Sequence, residues 1–391
     1  MILNNVRLID GTGKVWEQAA VHIEGERIAD VSGPVEPSPE AEVLDLRGKT
    51  VIPGLINCHT HICLDGSADP MAVLNQKTHT EVVLMAAQHA ADGLRAGVTT
   101  VRDCGGYKSI DLGLKKAIAS GLALGPRILA SGQALCMTGG QGHQFGREVD
   151  GADEARKAAR EQIKAGADLI KVMATGGVMT PGVEPGAAQL TYKELRAAVR
   201  EAQKAGRATA AHAQGTQGIK NAVRAGITSI EHGIYLDQEA IEMMLERGTY
   251  LVPTLAAPYQ ILAHGIEAGI PEFAVRKTER VKDAHQDSFI RAWQAGVPVA
   301  AGNDAGTPFN RVDDLVIELE CMVRAGLSPA EALGTAHLNA AVLLRLEDQI
   351  GSVEPGKLAD LVVLDADPLA DVGNLRQVYG VILGGKQASG F

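Results

Sequence analysis

The sequence predicts an α/β protein: a (β/α)8 TIM barrel with a small β-sandwich-like domain built from both chain termini. Three observations point there. First, six helical stretches run into a glycine and then a short apolar strand, at Gly97, Gly166, Gly206, Gly226, Gly248 and Gly296. Second, most of those strands end on a residue type able to serve as a metal ligand: Asp103, Lys171, His212, His232 and Asp304. Third, both ends of the chain alternate polar and apolar residues with period two, whereas the middle does not.

At the N-terminus, Met1–Leu8, Ala20–Glu24, Ile28–Val31, Ala41–Leu46 and Thr50–Ile52 read as strands, with a turn at Gly25-Glu26-Arg27. At the C-terminus, Asp360–Asp365 and Val378–Leu383 have the same texture, with Pro355-Gly356-Lys357 before them and Gly384-Gly385 after. Residues 1–53 and 346–391 therefore form one small β domain around a barrel of residues 54–345. Barrel strands are expected at Leu55–Ile62, Val98–Cys104, Arg127–Gly132, Leu169–Ala174, Ala208–Ala213, Ser229–Ile234, Tyr250–Leu255 and Pro298–Asn303. Their nearly continuous apolar runs suit parallel strands buried on both faces. Between them, Ala155–Ala165 ends at Gly166, where a left-handed cap is needed. Thr191-Tyr-Lys-Glu194 is a capping box that opens the next helix. Eight such units favour a closed barrel over a doubly wound sheet, because ligand-type residues recur on units that only a ring brings together.

Composition excludes several classes. A formal charge of −10 and only 3% aromatic residues argue against nucleic acid and anionic membranes. The start Met1–Val6 lacks the charged and apolar regions of a signal peptide, and no apolar run reaches the roughly 20 residues of a membrane helix. The five cysteines (Cys58, Cys63, Cys104, Cys136 and Cys321) are odd in number and lack zinc-site spacing. They read as reduced thiols, and the expected compartment is the cytoplasm.

His59 and His61 lie two apart on a strand, so both point to one face and one ion can take both nitrogens. Cys58 points the other way. His212, His232 and Asp304 each end an apolar strand. A buried carboxylate such as Asp304 must be paired or bound to a cation. Lys171, inside Leu169-Ile-Lys-Val-Met173, is out of place as a bare ammonium in a core. An ion-paired lysine is the plain reading. The sharper one is an amine that has combined with CO2 to give a carbamate, an anionic ligand able to bridge two cations. Together these residues would hold two divalent ions, which would lower the pKa of a shared water toward about 7.

His59-Thr-His61, Lys171, His212, His232 and Asp304 together resemble the binuclear, carboxylated-lysine amidohydrolase superfamily. The finer resemblance is to its prolidase-like and imidazolonepropionase-like subgroup, through Val51–His61, Thr138–His143, Ala174–Gly177, Glu231–Gly233 and Pro355–Leu364. It covers essentially the whole chain. It departs at Gln141, where a histidine is common, and at Asn303, where threonine is usual.

The resemblance implies that His59, His61 and Asp304 hold a buried metal, that His212 and His232 hold a more exposed one, and that carboxylated Lys171 bridges them. A bridging hydroxide would attack the substrate carbonyl. Asp304 would take the proton and pass it to the leaving amine. His143 is a candidate catalytic and substrate-binding residue; Tyr235 and Arg147 are candidates for a substrate carboxylate. The implied metals are zinc first, then cobalt, manganese or iron. The implied substrate is a dipeptide, of Xaa-Pro type, or an N-acyl amino acid. Carbamates, ureas and aryl amides of aromatic amino acids stay open. So does a mononuclear deaminase, although Gln214-Gly-Thr216 lacks the glutamate such enzymes carry there. A homo-oligomer is the family expectation.

Overall fold

The structure, a computed structural model, describes residues 1–36 and 42–390. Three sheets organise it. Strands from both ends share one sheet of eight strands. Its order is Lys386–Gly390, Val378–Leu383, Leu361–Leu364, Thr50–Pro53, Ile2–Ile9, Val15–Glu24 and Arg27–Ser32, with Val43–Asp45 beside Ile2–Ile9. The union of the termini rests on Leu361–Leu364 running antiparallel to Thr50–Pro53. Ile2–Ile9 forks the sheet, pairing with Val43–Asp45 through its first half and with Thr50–Pro53 through its second. The expected sandwich-like unit is thus one forked sheet, with Leu3, Leu8, Val21, Ile28, Leu361 and Val363 buried in a common core. Ala41, placed on a strand above, lies outside the described residues.

Seven of the eight expected middle strands are present, each one to three residues shorter than expected or unchanged. Leu55–Thr60, Val98–Asp103 and Arg127–Ala130 form a parallel three-stranded sheet. Leu169–Met173, Ala208–Ala213, Ser229–His232 and Tyr250–Val252 run parallel in a second sheet, extended by the short strands Leu135–Cys136 and Arg147–Glu148.

The eighth segment, 298–303, forms no regular strand. Its backbone bonds alternate between neighbours, with Leu251 N–H donating to Pro298 O at 2.9 Å and Cys58 N–H to Ala301 O at 2.8 Å. Isolated parallel bridges join Leu251 to Val299 and Thr60 to Ala305. Gly302 permits this approach, since a Cβ there would lie 2.7 Å from the His59 nitrogen.

Helices fill the connections and stop where the glycines stand. Ala152–Ala165 ends on Gly166 at φ 104°, a left-handed conformation that favours glycine. Thr191 and Glu194 form the reciprocal capping box. The five cysteines are free and buried. Among the described residues no helix is long and apolar enough to cross a membrane.

The shared sheet makes a testable demand on its core. Leu361 is fully buried between strands from the two ends of the chain. Leu361→Ala should lower the unfolding free energy by about 2–5 kcal/mol in denaturant titrations, the usual range for a leucine cavity.

Candidate active site

The strand ends converge. His59 is the next-to-last residue of the strand Leu55–Thr60 and His61 follows it; Lys171 lies within Leu169–Met173, His212 within Ala208–Ala213, and His232 closes Ser229–His232. Asp304 follows the irregular eighth segment. Four imidazoles stand in a row. Ring centroids are 5.4 Å apart for His61 and His59, 5.3 Å for His59 and His232, and 4.5 Å for His232 and His212. His232 and Asp304 adopt left-handed backbone, at φ 73° and 59°, as does Thr254 at 54°. Such conformations are unfavourable for side-chain-bearing residues and persist where the surroundings impose them.

Each ring has its proton held on the outer side. His59 Nδ1 is 2.7 Å from Glu231 Oε2, and His61 Nδ1 is 3.3 Å from the Gly105 carbonyl. His212 Nε2 is 3.2 Å from the Gly176 carbonyl. Carbonyls and carboxylates only accept, so these nitrogens donate. His232 Nδ1 lies 2.7 Å from Thr254 Oγ1, whose own proton goes to the Pro253 carbonyl, so His232 also donates. The second nitrogen of each ring therefore faces inward. His212 Nδ1 and His232 Nε2 oppose each other at 2.8 Å. His59 Nε2 and His61 Nε2 each lie 3.3 Å from Asp304 Oδ1, a buried atom without a hydrogen-bond partner. Burial pushes His59 down to about 4 and His212 to about 3, and lowers His232 strongly, so these rings are neutral at physiological pH.

Lone pairs aimed at one another repel unless a cation lies between them. His59, His61 and Asp304 offer ligand atoms within 4.8 Å of one another. Lys171, buried, places Nζ 3.3 Å from His59 Nε2. Neutral imidazoles with a carboxylate suit a divalent metal, so the residues fit the group that the sequence implied.

Buried polar groups behind these side chains hold them in place. Arg102, almost wholly buried, donates from Nη2 to both Glu231 oxygens at 2.8 and 2.9 Å, from Nη1 to Ser229 Oγ at 2.9 Å, and from Nε to the Cys58 carbonyl at 2.5 Å. Burial opposes ionisation of Glu231, but Arg102 and the His59 bond outweigh it and hold the carboxyl down to about 2. The anion then fixes the His59 tautomer, as a carboxylate behind a metal-binding histidine does. Asp103 accepts from Ile62 N–H and Gly105 N–H, which sets the carbonyl that receives His61. Glu318 accepts from Leu255 and Ala256 N–H beside Thr254. Burial raises its carboxyl to about 8.

The six metal-ligand candidates meet at one cleft of about 950 Å³, open to solvent. The three other candidates do not line it. Arg147 is engaged by Glu161, with Nε to Oε2 at 3.0 Å, and by the Glu148 carbonyl. His143 is half exposed, 4.0 Å from Glu148, while Gln141, Gly142 and Phe145 of the same loop reach the cleft. Tyr235 packs behind it, its ring edge at Gly186. The cleft wall is otherwise mainly apolar, with Leu64, Met71, Met173, Val178, Ile234 and Ile261.

Sequence reasoning left Arg102, Glu231 and His285 without a role. A charged residue inside a buried strand was the available signal for the first two. His285 sits on the helix Glu272–Gln294, where nothing local marks it; its Nε2 bonds the His232 and Pro253 carbonyls at 3.1 and 2.7 Å.

The amidohydrolase family model matches residues 50–388. The chain belongs to the amidohydrolase family. It is similar to ochratoxinase from Aspergillus niger, at 31% identity over 98% of this chain and 85% of that protein. It is also similar to imidazolonepropionase from Symbiobacterium thermophilum, at 26% identity over 91% and 90%. Among solved structures, a Xaa-Pro dipeptidase with methionine bound in its active site superposes with a TM-score of 0.92, at 34% identity over 99% and 98% of the two chains. This amidohydrolase is a hydrolase of carbon–nitrogen bonds in small molecules, and its family typically binds divalent metals.

The Arg102–Glu231 pair gives a clean test. Arg102→Met strands a buried carboxylate, which should cost about 3–5 kcal/mol of stability. Adding Glu231→Leu should recover part of that loss, because the stranded charge goes with it. Denaturant unfolding of the metal-free protein reads both values.

Proposed function

We propose that this chain is a binuclear metal-dependent amidohydrolase that cleaves the C–N amide bond of a dipeptide or N-acyl amino acid. The observation that carries this reading is the set of inward-facing nitrogens of His59, His61, His212 and His232 around the partnerless Asp304 oxygen. His59, His61 and Asp304 would hold one cation and His212 and His232 the other, with Lys171, as a carbamate, between them. The cations, when bound, supply Lewis acidity toward a carbonyl and acidify water.

The residues do the remaining work. Asp304, at the cleft mouth of the eighth segment, takes a proton from water and returns it to the leaving nitrogen. Thr254 and Glu231 keep the ring protons of His232 and His59 turned away, which leaves the inward lone pairs of both rings free to hold a cation. The isolated bridges at Val299 and Ala305 support a parallel sheet closed into an eight-stranded barrel. The shared terminal sheet supports a division at about residues 53 and 346.

One feature favours a second reading of the substrate. Apart from Lys171 and the histidines, no cationic side chain lines the cleft among the described residues, and Arg147 is committed to Glu161. An uncharged amide, such as an aryl amide or a urea, would suit such a wall.

Two experiments decide these points. Elemental analysis should find two divalent ions per chain, and Lys171→Ala should lose metal and activity together, with short-chain carboxylic acids restoring part of both. Full metal content and rate in Lys171→Ala would remove the bridging role. For the substrate, kcat/KM of an N-acyl amino acid should exceed that of its carboxamide if the carboxylate is recognised. A carboxamide hydrolysed equally well or better selects the second reading.

A further inference from the structure

Lys277 is a buried lysine without a carboxylate partner among the described residues. It stands on the helix Glu272–Gln294, whose inner face sends Thr278, Val281 and His285 into the cleft wall. Its Nζ donates to three main-chain carbonyls of a single loop: Thr180 at 2.8 Å, Gly177 at 3.5 Å, and Val183. An ammonium has three donors, and one loop supplies three acceptors. The Phe273 ring lies one turn back, with its centroid 5.4 Å from Nζ. Burial lowers the lysine's pKa; the charge of Glu184 opposes that shift and the charge of Arg280 adds to it, without lifting the pKa back to its ordinary value. Solvation of this cation therefore depends on the loop keeping its shape.

That loop connects directly to the site. It follows the strand of Lys171 and is closed at its base by a bridge between Thr175 and Ala188. Val178, Met179 and Thr180 line the cleft. The Gly176 carbonyl receives the His212 Nε2 proton at 3.2 Å. Gly177 is packed so closely that a Cβ would lie 2.8 Å from both the His212 ring and Gln141. Thr180 Oγ1 accepts from Gly142 N–H at 3.1 Å, tying in the neighbouring loop. At the exposed rim, Arg280, one turn after Lys277, pairs with Glu184 at 2.9 Å. One helix thus grips the loop twice, at a buried point by charge–dipole bonds and at the surface by an ion pair. The surface pair is worth little; the buried clamp carries the restraint.

We propose that Lys277 is a positioning residue for the hydrolytic site: it locks the loop 176–188 as a rigid wall of the cleft, and so sets which apolar groups fit beside the scissile bond. The proposal deepens the amidohydrolase reading above and rests on it for the kinetic part of its test. Lys277 touches neither the ligand candidates nor the position of the reacting atoms. Its loss acts through Val178, Met179 and Thr180.

The test compares Lys277→Met with the unaltered metal-loaded enzyme. An amide substrate series graded from a small to a bulky apolar group gives kcat and KM, and limited proteolysis with hydrogen exchange reads residues 176–188. Expected are unchanged metal content, faster cleavage and exchange in the loop, and KM for bulky substrates raised roughly tenfold with kcat nearly constant. Lys277→Gln, which keeps N–H donors, should recover part of both effects. Unchanged loop protection, or a KM rise equal for small and bulky groups, would overturn the proposal. If the unaltered enzyme hydrolyses no amide, the functional reading fails, while loop protection still judges the clamp. Should Lys277→Met not fold, Lys277→Ala and Arg280→Gln are read the same way. Loop opening in Arg280→Gln but not in Lys277→Ala would place the restraint at the rim and overturn the role of Lys277.

Discussion

Buried imidazoles with a proton turned outward are the constraint on which this structure depends. A buried histidine is easily kept neutral, because burial penalises the charged ring. Directing its lone pair is harder, since either nitrogen can carry the proton. Here each choice is forced by an acceptor on the far side: Glu231 for His59, the Gly105 carbonyl for His61, the Gly176 carbonyl for His212, and Thr254 for His232. Four acceptors facing one another in a protein interior would repel. The arrangement makes physical sense around positive charge, and much of the surrounding structure is spent on holding it.

That holding is costly. Arg102 and Glu231 are both buried, and taking two ions out of water costs several kcal/mol each before their attraction is counted. Their cost is offset because every donor finds a partner: Arg102 reaches Glu231, Ser229 and the Cys58 carbonyl. The left-handed backbone at His232, Thr254 and Asp304 is a further cost, concentrated where strands end and side chains must turn inward. The same logic recurs at Lys277, where a loop's carbonyls solvate a cation that water cannot reach. Rigid placement of ligands and cleft wall is the common result, and it is what a hydrolytic site requires of its scaffold.

The reading from sequence succeeded where the signal was local and periodic. Glycine after helix, then an apolar strand, located five of the seven strands to within a few residues, and the strand ends singled out His59, His61, Lys171, His212, His232 and Asp304, which the fold brings to one cleft. It was weaker where the outcome hung on side-chain direction in loops. His143, Tyr235 and Arg147 stand at suggestive positions, yet Gln141 and Phe145 face the cleft from the same loop as His143. Arg147 turns to Glu161, fourteen residues on, because a helix passes there. The eighth segment carries the right residues for a strand but shares its hydrogen bonds between two neighbours, a property of packing and not of propensity.

By itself, the sequence determined the α/β class, the β-rich character of both termini and the six side chains that meet at the cleft, because helix stops, strand alternation and apolar runs are written in residues a few positions apart. Only the tertiary structure decided which nitrogen of each imidazole faces inward, which buried charge answers which, and which loop side chains reach the cleft. Those depend on partners such as Arg102 and Glu231, or Lys277 and Val183, that lie 129 and 94 residues apart and meet only when the chain is folded.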